Sequence, residues 1–314
     1  MRAMILAAGL GTRMGSLARL RAKPALPVMG RPVLAWLLEF LAHNGVDEVC
    51  INLHHLPETV EEAVGRFAPP KLSIRYSRER EPLGTGGGIA EAKDFLVESD
   101  PSIVIAGDMI LDCDLSSLIA QHRAARNAAT LVMARPSPAT ADFGTLGIDD
   151  DGALCRIADR FDLGGEAAAG IFLGVRILSP EILAQLPQDR AGSAFEDLSD
   201  WWAPLLSAGR RDIRGHFADP KGLVWQPVGT PAEYLEANLG LPALSFFSEA
   251  DRMAAGTRIL PDEQVVLGAG AELGTGAQLR RCVVWEGERV PADCVADEGV
   301  FAGGGFHSCR GFNR

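Results

Sequence analysis

The sequence has little to offer a polyanion. Its 314 residues carry 30 lysines and arginines against 41 aspartates and glutamates, a formal charge of -11, whereas nucleic acids and anionic membranes are met by broad basic patches. The balance argues against both partners, and any phosphate must be held locally. Cysteine is also scarce: the six, at 50, 113, 155, 282, 294 and 309, include no C-x-x-C pair and lack the density of a disulfide scaffold. They read as reduced packing thiols in a cytoplasmic protein. Long apolar runs are missing too. The N-terminal run stops at Gly9, with Arg13 following, which is too short for a signal peptide, and no other stretch reaches membrane-spanning length.

What is present is an ordinary globular composition, 47% apolar and 23% charged, in a chain long enough for one large core or two domains. Strand-like and helix-like patterns alternate through the first half. "AMILAA" is a short apolar strand; "RPVLAWLLEFLAHNG" has helical spacing, Pro32 near its start and Gly45 at its end. "EVCINL", "KLSIRYS" and "SIVIAGD" read as strands, and "PETVEEAVGRF", "GGGIAEAKDFL" and "DLSSLIAQHRAA" as helices, the last capped by Asp114. This is a doubly wound, Rossmann-like α/β pattern with a mixed sheet. From about Ala129 the texture becomes hairpin-like, with an Asp-Gly turn at 151 and 152, which predicts an inserted antiparallel layer.

The expected organisation is a first domain over residues 1–240, a linker over 241–260 and a short C-terminal segment over 261–314. In that segment Leu267, Leu273 and Leu279 recur at period six with glycines between, the pattern of a hexapeptide β-helix; a glycine-rich loop is the alternative. The tail from Phe301 is expected to be poorly ordered. His54 and His55 end a strand, where neighbouring side chains point to opposite faces, so they read as a solvated strand end and not as metal ligands. "FEDLSDWWAPLL" reads as a core helix beside the ligand pocket.

The stretch "LAAGLGTRMGSLARLRAKPALPV" (6–28) gathers a strand end, a glycine-rich bend, Arg13 and Lys23. The spacing of Gly9, Gly11 and Gly15 is wrong for a dinucleotide fingerprint, and no Gly-Lys-Ser/Thr follows for a Walker loop. What remains is a bend at the C-terminal edge of the first strand, where open α/β sheets bind ligands. Its amides can form an anion nest beside two cations. A tight turn flanked by solvated basic residues is the alternative.

These residues resemble the signature of the sugar-1-phosphate nucleotidyltransferases. The likeness continues in order through "EREPLGTGGGIAEA" (79–92), "VIAGDMILDCDL" (104–115) and "WQPVGTPAEYLEAN" (225–238), and a short left-handed β-helix also occurs in that family. The resemblance implies that a sugar 1-phosphate attacks the α-phosphorus of an NTP and releases pyrophosphate. A phosphate monoester is largely dianionic at neutral pH, so this chemistry needs positioning and charge neutralisation more than a general base. By resemblance, Arg13 and Lys23 are the catalytic cations. Leu6, Ala8, Gly9, Gly11, Thr12, Glu79, Gly84 and Thr85 bind nucleotide, the base-reading loop running from Leu83 to Gly87. Gly144, Asp159, Arg160 and Gly170 face the sugar, and Asp108 at its strand end holds Mg²⁺. Asp112 and Asp114 are expected to be turn and cap residues.

Two positions depart from the family's pattern. The second metal-binding aspartate falls at Pro227, and the Asn-x-Gly-x-Tyr sugar segment reads Ala168-Ala169-Gly170-Ile171-Phe172. Three readings therefore stand: an active transferase, a nucleotide-sugar-binding regulatory paralogue, and a structural partner that assembles into homo-oligomers through the C-terminal segment. Mannose 1-phosphate with GTP is the first expectation for substrates, followed by glucose 1-phosphate with UTP or dTTP and N-acetylmuramate 1-phosphate with UTP.

Overall fold

In the computed structural model, which describes residues 1–140, 143–190, 192–248 and 256–311, the run Arg2–Leu6 forms strand β1 inside a ten-stranded mixed sheet. Ala3 and Ile5 enter one apolar core with Leu37 and Phe40, while Met4 between them enters a second core with Val104 and Ile89. Successive residues feed opposite cores, both apolar, which is why the strand reads as an unbroken apolar run. Helix α1 (Val33–His43), strand β2 (Glu48–Leu53), helix α2 (Pro57–Phe67) and strand β3 (Ser73–Arg78) follow. β1, β2 and β3 are parallel, Ala3 lying beside Val49 and Val49 beside Ile74. Helix α3 (Gly84–Glu91) leads into β4 (Ser102–Ala106), parallel to β1 on its other side.

Strand β5 (Met109–Asp112) leaves this sheet, and helix α4 (Leu115–Ala124) begins with Asp114 accepting the Ser117 N–H as its cap. Asp112 accepts from the backbone and the hydroxyl of Ser245. Strands β6 (Ala129–Ala134), β7 (Thr145–Ile148), β8 (Leu154–Ile157), β9 (Phe161–Asp162) and β10 (Ala168–Leu178) come next. The expected antiparallel insertion forms, β7, β8, β9 and β10 pairing antiparallel, and it is continuous with the central sheet. β10 is 11 residues long and pairs with β4 at its end, Val175 beside Ile105, and with β7 at its start, Ala169 beside Gly147. A strand long enough for both neighbours carries the hairpin into the central sheet. β11 (Ile213–Phe217) flanks β6, β12 (Val224–Pro227) pairs antiparallel with β5, and helix α5 (Pro231–Gly240) follows. The predicted tryptophan helix is a helical turn over Asp197–Trp202 continued by Ala203–Ser207, with Trp201 and Trp202 stacked at 3.8 Å in the second core.

In the C-terminal segment β13 (Val265–Leu267), β15 (Gln278–Val284) and β17 (Val295–Ala302) stack in parallel, and β14 (Glu272–Leu273) pairs with β16 (Arg289–Val290) in a second small sheet. Cross-rung partners such as Arg280 and Asp297 are 17 residues apart. The residues that lie over one another are Leu267, Val284 and Phe301, while Leu273 is 37% exposed and outside the buried ladder. The tail is not loose: β18 (Gly305–Ser308) folds back on β17 with Phe306 beside Phe301, and only residues 312–314 lie outside the described part. A third core joins both ends of the chain, combining Met14, Leu17, Val33 and Trp36 with Tyr234, Val266, Val283 and Val300. Of the expected linker, Phe247 packs edge-on against Trp36 at 4.6 Å, and residues 249–255 lie outside the described part. Among the described residues no helix is long and apolar enough to cross a membrane.

Candidate active site

A cavity of about 1050 Å³ opens at the C-terminal edges of β1 and β4 and is walled on its far side by the β8 to β10 region. Its floor is the glycine bend. After β1, the Ala7 N–H donates to Asn52 Oδ1 at 2.6 Å; Asn52 Nδ2 donates to Glu79 Oε1 at 2.7 Å, and Glu79 Oε2 accepts the Leu83 N–H at 2.9 Å. One buried amide and one buried carboxylate thus tie the glycine bend to the loop that opens α3. Gly88 is required for this: a Cβ there would stand 2.8 Å from Asn52 Nδ2 and 3.2 Å from Glu79 Oε1. Asn52 was not anticipated, and its only signal was an amide closing an apolar strand.

Beyond the bend, Thr12–Arg19 forms a short helical turn whose Met14, Leu17 and Ala18 are buried, so Thr12 and Arg13 face outward and line the cavity. The Arg13 guanidinium lies against Gly229, where an added Cβ would be 3.4 Å from Nη2. Gly229 is fixed by its N–H donating to Glu233 Oε2 at 2.7 Å, while the Glu233 N–H donates to Thr230 Oγ1 at 3.2 Å. This reciprocal cap is why Thr-Pro-x-Glu stands at the start of α5.

Lys23 reaches the same cavity from the next turn, and its Nζ donates to Asp108 Oδ2 at 3.0 Å. Asp108 is aimed there by its chain: the Gly107 N–H donates to the Leu6 carbonyl and the Asp108 carbonyl accepts the Val228 N–H. Pro227 lies beside Met109 across the β5–β12 pair and lines the cavity next to Asp108 without a side-chain oxygen. Among the described residues no cluster of three or more His, Cys, Asp or Glu side chains is arranged to hold a metal.

The remaining nucleotide-side positions Leu6, Ala8, Gly9, Gly11, Glu79, Gly84 and Thr85 all line the cavity. The Thr85 hydroxyl lies 2.7 Å from Glu196 Oε2 and 2.6 Å from Asp197 Oδ1, two acceptors that share its one proton. On the sugar side the structure brings in Arg160 but not Gly144, Asp159 or Gly170. Gly144 precedes β7 and Asp159 is exposed in the turn after β8, while their neighbours Phe143 and Ala158 form the wall. Gly170 is buried in β10, where a Cβ would stand 2.7 Å from the Phe217 ring. The part of β10 that reaches the cavity lies further along, at Phe172, Leu173, Gly174 and Arg176, past an irregularity in the β10–β6 register between Phe172 and Arg176.

Arg176 is a second unanticipated wall residue. Its Nε donates to Asp197 Oδ2 at 2.5 Å, Trp202 Nε1 donates to the same oxygen at 3.1 Å, and both charged side chains are under 5% exposed. Burial alone would raise the Asp197 carboxyl, but the Arg176 guanidinium, with Thr85 and Trp202, holds it below the usual carboxylate range. A charged residue inside the apolar run "GIFLGVRIL" was the available signal. Phe143 meets Trp225 edge-on at 4.9 Å, which with Phe161 and Phe172 makes this wall largely aromatic. His54 and His55 are half-buried and not a solvated strand end: His54 Nδ1 pairs with the Glu79 carbonyl and His55 Nε2 with the Ala18 carbonyl.

The sequence profile of the family described as nucleotidyl transferase matches residues 2–243. The mannose-1-phosphate guanylyltransferase of Mycobacterium tuberculosis is 29% identical over 306 residues, 94% of this chain and 82% of that protein. The UTP–glucose-1-phosphate uridylyltransferase of Synechocystis is 27% identical over 77% of this chain, which spans 63% of that relative's length. Among solved structures, HddC from Yersinia pseudotuberculosis, also determined complexed with GMP-PN, is similar at a TM-score of 0.61 and 26% identity, covering 76% of this chain and 97% of its own. The profile spans all four ordered motifs and the relatives share one reaction type: the chain belongs to the nucleotidyl transferase family, among its sugar-1-phosphate nucleotidyltransferases.

Proposed function

We propose that this chain makes GDP-mannose from GTP and mannose 1-phosphate, with Arg13, Lys23 and Asp108 as its reacting-centre residues. The observation that carries the chemistry is that one cavity receives all three, with Lys23 Nζ 3.0 Å from Asp108 Oδ2. The choice of base and sugar is supported by the name of the Mycobacterium relative and by the guanine nucleotide analogue bound to HddC. In the reaction a phosphate oxygen of the sugar 1-phosphate forms a bond to the α-phosphorus, the bond from that phosphorus to the bridging oxygen breaks, and pyrophosphate leaves with the electron pair. The attacking phosphate is already anionic, so no side chain has to remove a proton. The amides of Gly9, Gly11 and Thr12 cradle the triphosphate, and Arg13 and Lys23 neutralise charge as it shifts toward pyrophosphate. We assign the sugar to the side of the cavity lined by Arg160 and Gly174.

Asp108 suits Mg²⁺: it is an exposed-side carboxylate, 40% accessible, on the floor of the same cavity, and such a cation takes one or two carboxylates with phosphate and water completing the shell. Bound there, Mg²⁺ supplies neutralisation of the substrate phosphates. Pro227 leaves Asp108 to do this without a second carboxylate. The binding-only reading that Pro227 raised is not favoured, since the Mycobacterium and Synechocystis relatives are named as transferases. We also read the C-terminal strands as a short left-handed β-helix, supported by their parallel rungs 17 residues apart.

The test is Mg²⁺-dependent pyrophosphate release over a panel of GTP, UTP and dTTP with mannose, glucose and N-acetylmuramate 1-phosphates. The largest kcat/KM is expected for GTP with mannose 1-phosphate. Turnover of a different pair would overturn the substrate reading alone. Tight nucleotide-sugar binding with no pyrophosphate from any pair would overturn the transfer reading itself.

A further inference from the structure

The turn that carries Arg13 has two faces. Thr12 and Arg13 look into the cavity, while Met14, Leu17 and Ala18 are buried in the core built with Val266, Val283, Trp285, Val300 and Ala302. The phosphate turn therefore rests on the C-terminal strands and not on the central sheet alone. Three contacts hold it there. Ser16 Oγ lies 2.6 Å from His307 Nδ1, joining residues 291 apart in sequence. The turn between β17 and β18 closes on Leu20: Gly303 there has φ +57°, which favours glycine, and a Cβ on it would come within 2.9 Å of Leu20 Cδ2 and push that side chain aside. The Arg21 guanidinium stacks on the Trp285 ring at 5.0 Å.

The polar contact has a defined direction. His307 Nε2 is 3.0 Å from the Ala302 carbonyl, which can only accept, so the proton sits on Nε2; in the neutral ring Nδ1 then accepts from the Ser16 hydroxyl. The imidazole is a bridge from the C-terminal hairpin to a residue three positions after Arg13. We propose that His307, through Ser16, is a positioning residue for nucleotidyl transfer, and that the C-terminal hairpin sets the height of the Arg13 turn over the reacting phosphates. The inference rests on the reading of Arg13 as a phosphate-binding group. A displacement near 1 Å at such a group is worth about 100-fold in rate, so a partly released turn shows in kcat before it shows in folding.

The experiment is a double-mutant cycle with Ser16→Ala, His307→Ala and their combination, together with His307→Asn, whose side-chain oxygen reproduces the Nδ1 acceptor. Each variant is assayed for kcat, for KM of both substrates and for its melting temperature. The expected result is a fall in kcat of about tenfold in each single variant, no further fall in the double variant, and recovery of most of the activity in His307→Asn. Wild-type kcat in the single variants, or losses that multiply in the double variant, would overturn the proposal, even if melting temperatures drop. If His307→Ala does not fold, Ser16→Ala carries the same prediction, since it removes one oxygen from a half-buried residue. Arg13→Ala runs alongside: if that variant keeps wild-type activity, the reading of Arg13 has failed, whereas an inactive Arg13→Ala with unaffected Ser16 and His307 variants sinks the brace only.

Discussion

Asp108→Asn separates chemistry from folding at this site. The substitution keeps the shape of the side chain and removes its charge. In the folded chain Asp108 Oδ2 faces Lys23 Nζ at 3.0 Å, a pair worth about 5 kcal/mol of bare attraction at an effective dielectric near 20. The Asp108 side chain is 40% exposed, however, and ion pairs this open to water contribute only about 0–1 kcal/mol to stability. The local backbone does not depend on the charge either, since the Gly107 N–H and the Asp108 carbonyl keep their partners Leu6 and Val228. The melting temperature is therefore expected to move by no more than about 2–4 °C. Activity should behave differently. Loss of a preorganised charged group at the reacting phosphates costs about 3–4 kcal/mol of barrier, or about 100- to 1000-fold in kcat, and the Mg²⁺ concentration needed for half-maximal rate should rise. Freed from its carboxylate, Lys23 should bind metal-free nucleotide at least as tightly as before. Pyrophosphate release across a Mg²⁺ titration, with a thermal melt of the same sample, gives both numbers. A kcat within about threefold of wild type with an unchanged Mg²⁺ dependence would refute the assignment of Asp108.

Asn52→Ala should destabilise the fold, because it strands the Ala7 N–H and one Glu79 oxygen in a buried position; about 2–4 kcal/mol is expected from urea unfolding, and a loss under about 1 kcal/mol would mean that the bridge is not structural. His122 is buried between Thr130 and Ser179, and burial lowers its pKa from 6.5 to about 4. The unfolded chain then binds the proton more readily, so this group's contribution is complete above pH 6.5 and is lost as pH falls through about 4. At most about 3 kcal/mol is involved, and His122→Gln should flatten that part of the stability–pH curve measured by denaturant titration.

The elements of the first half were legible because local patterns and tertiary demands coincide there. "EVCINL" and "PETVEEAVGRF" became β2 and α2 with the ends their patterns set, and Asp114 caps α4. Legibility failed where one strand serves two neighbours. Nothing in "AAGIFLGVRIL" says that Ala169 pairs with β7 while Val175 pairs with β4, so Gly170 was expected at the sugar and Gly174 lines the cavity instead. The C-terminal stacking is hidden for a related reason. A six-residue leucine spacing is visible along the chain, but the parallel strands bring together residues 17 apart, and that places Val284, not Leu273, over Leu267.

By itself the sequence determined the family, the glycine bend and the cationic and acidic side chains that the cavity gathers, because those depend on residue type and order and are carried within short segments. Only the tertiary structure decided that Asn52 and Glu79 would bind the bend to α3, that Arg176 would be held by Asp197 in the wall, and that His307 would reach Ser16. Each of those contacts joins residues far apart in the chain, and a hydrogen bond of about 3 Å is set by how strands are ordered and stacked, which no local spacing of residues encodes.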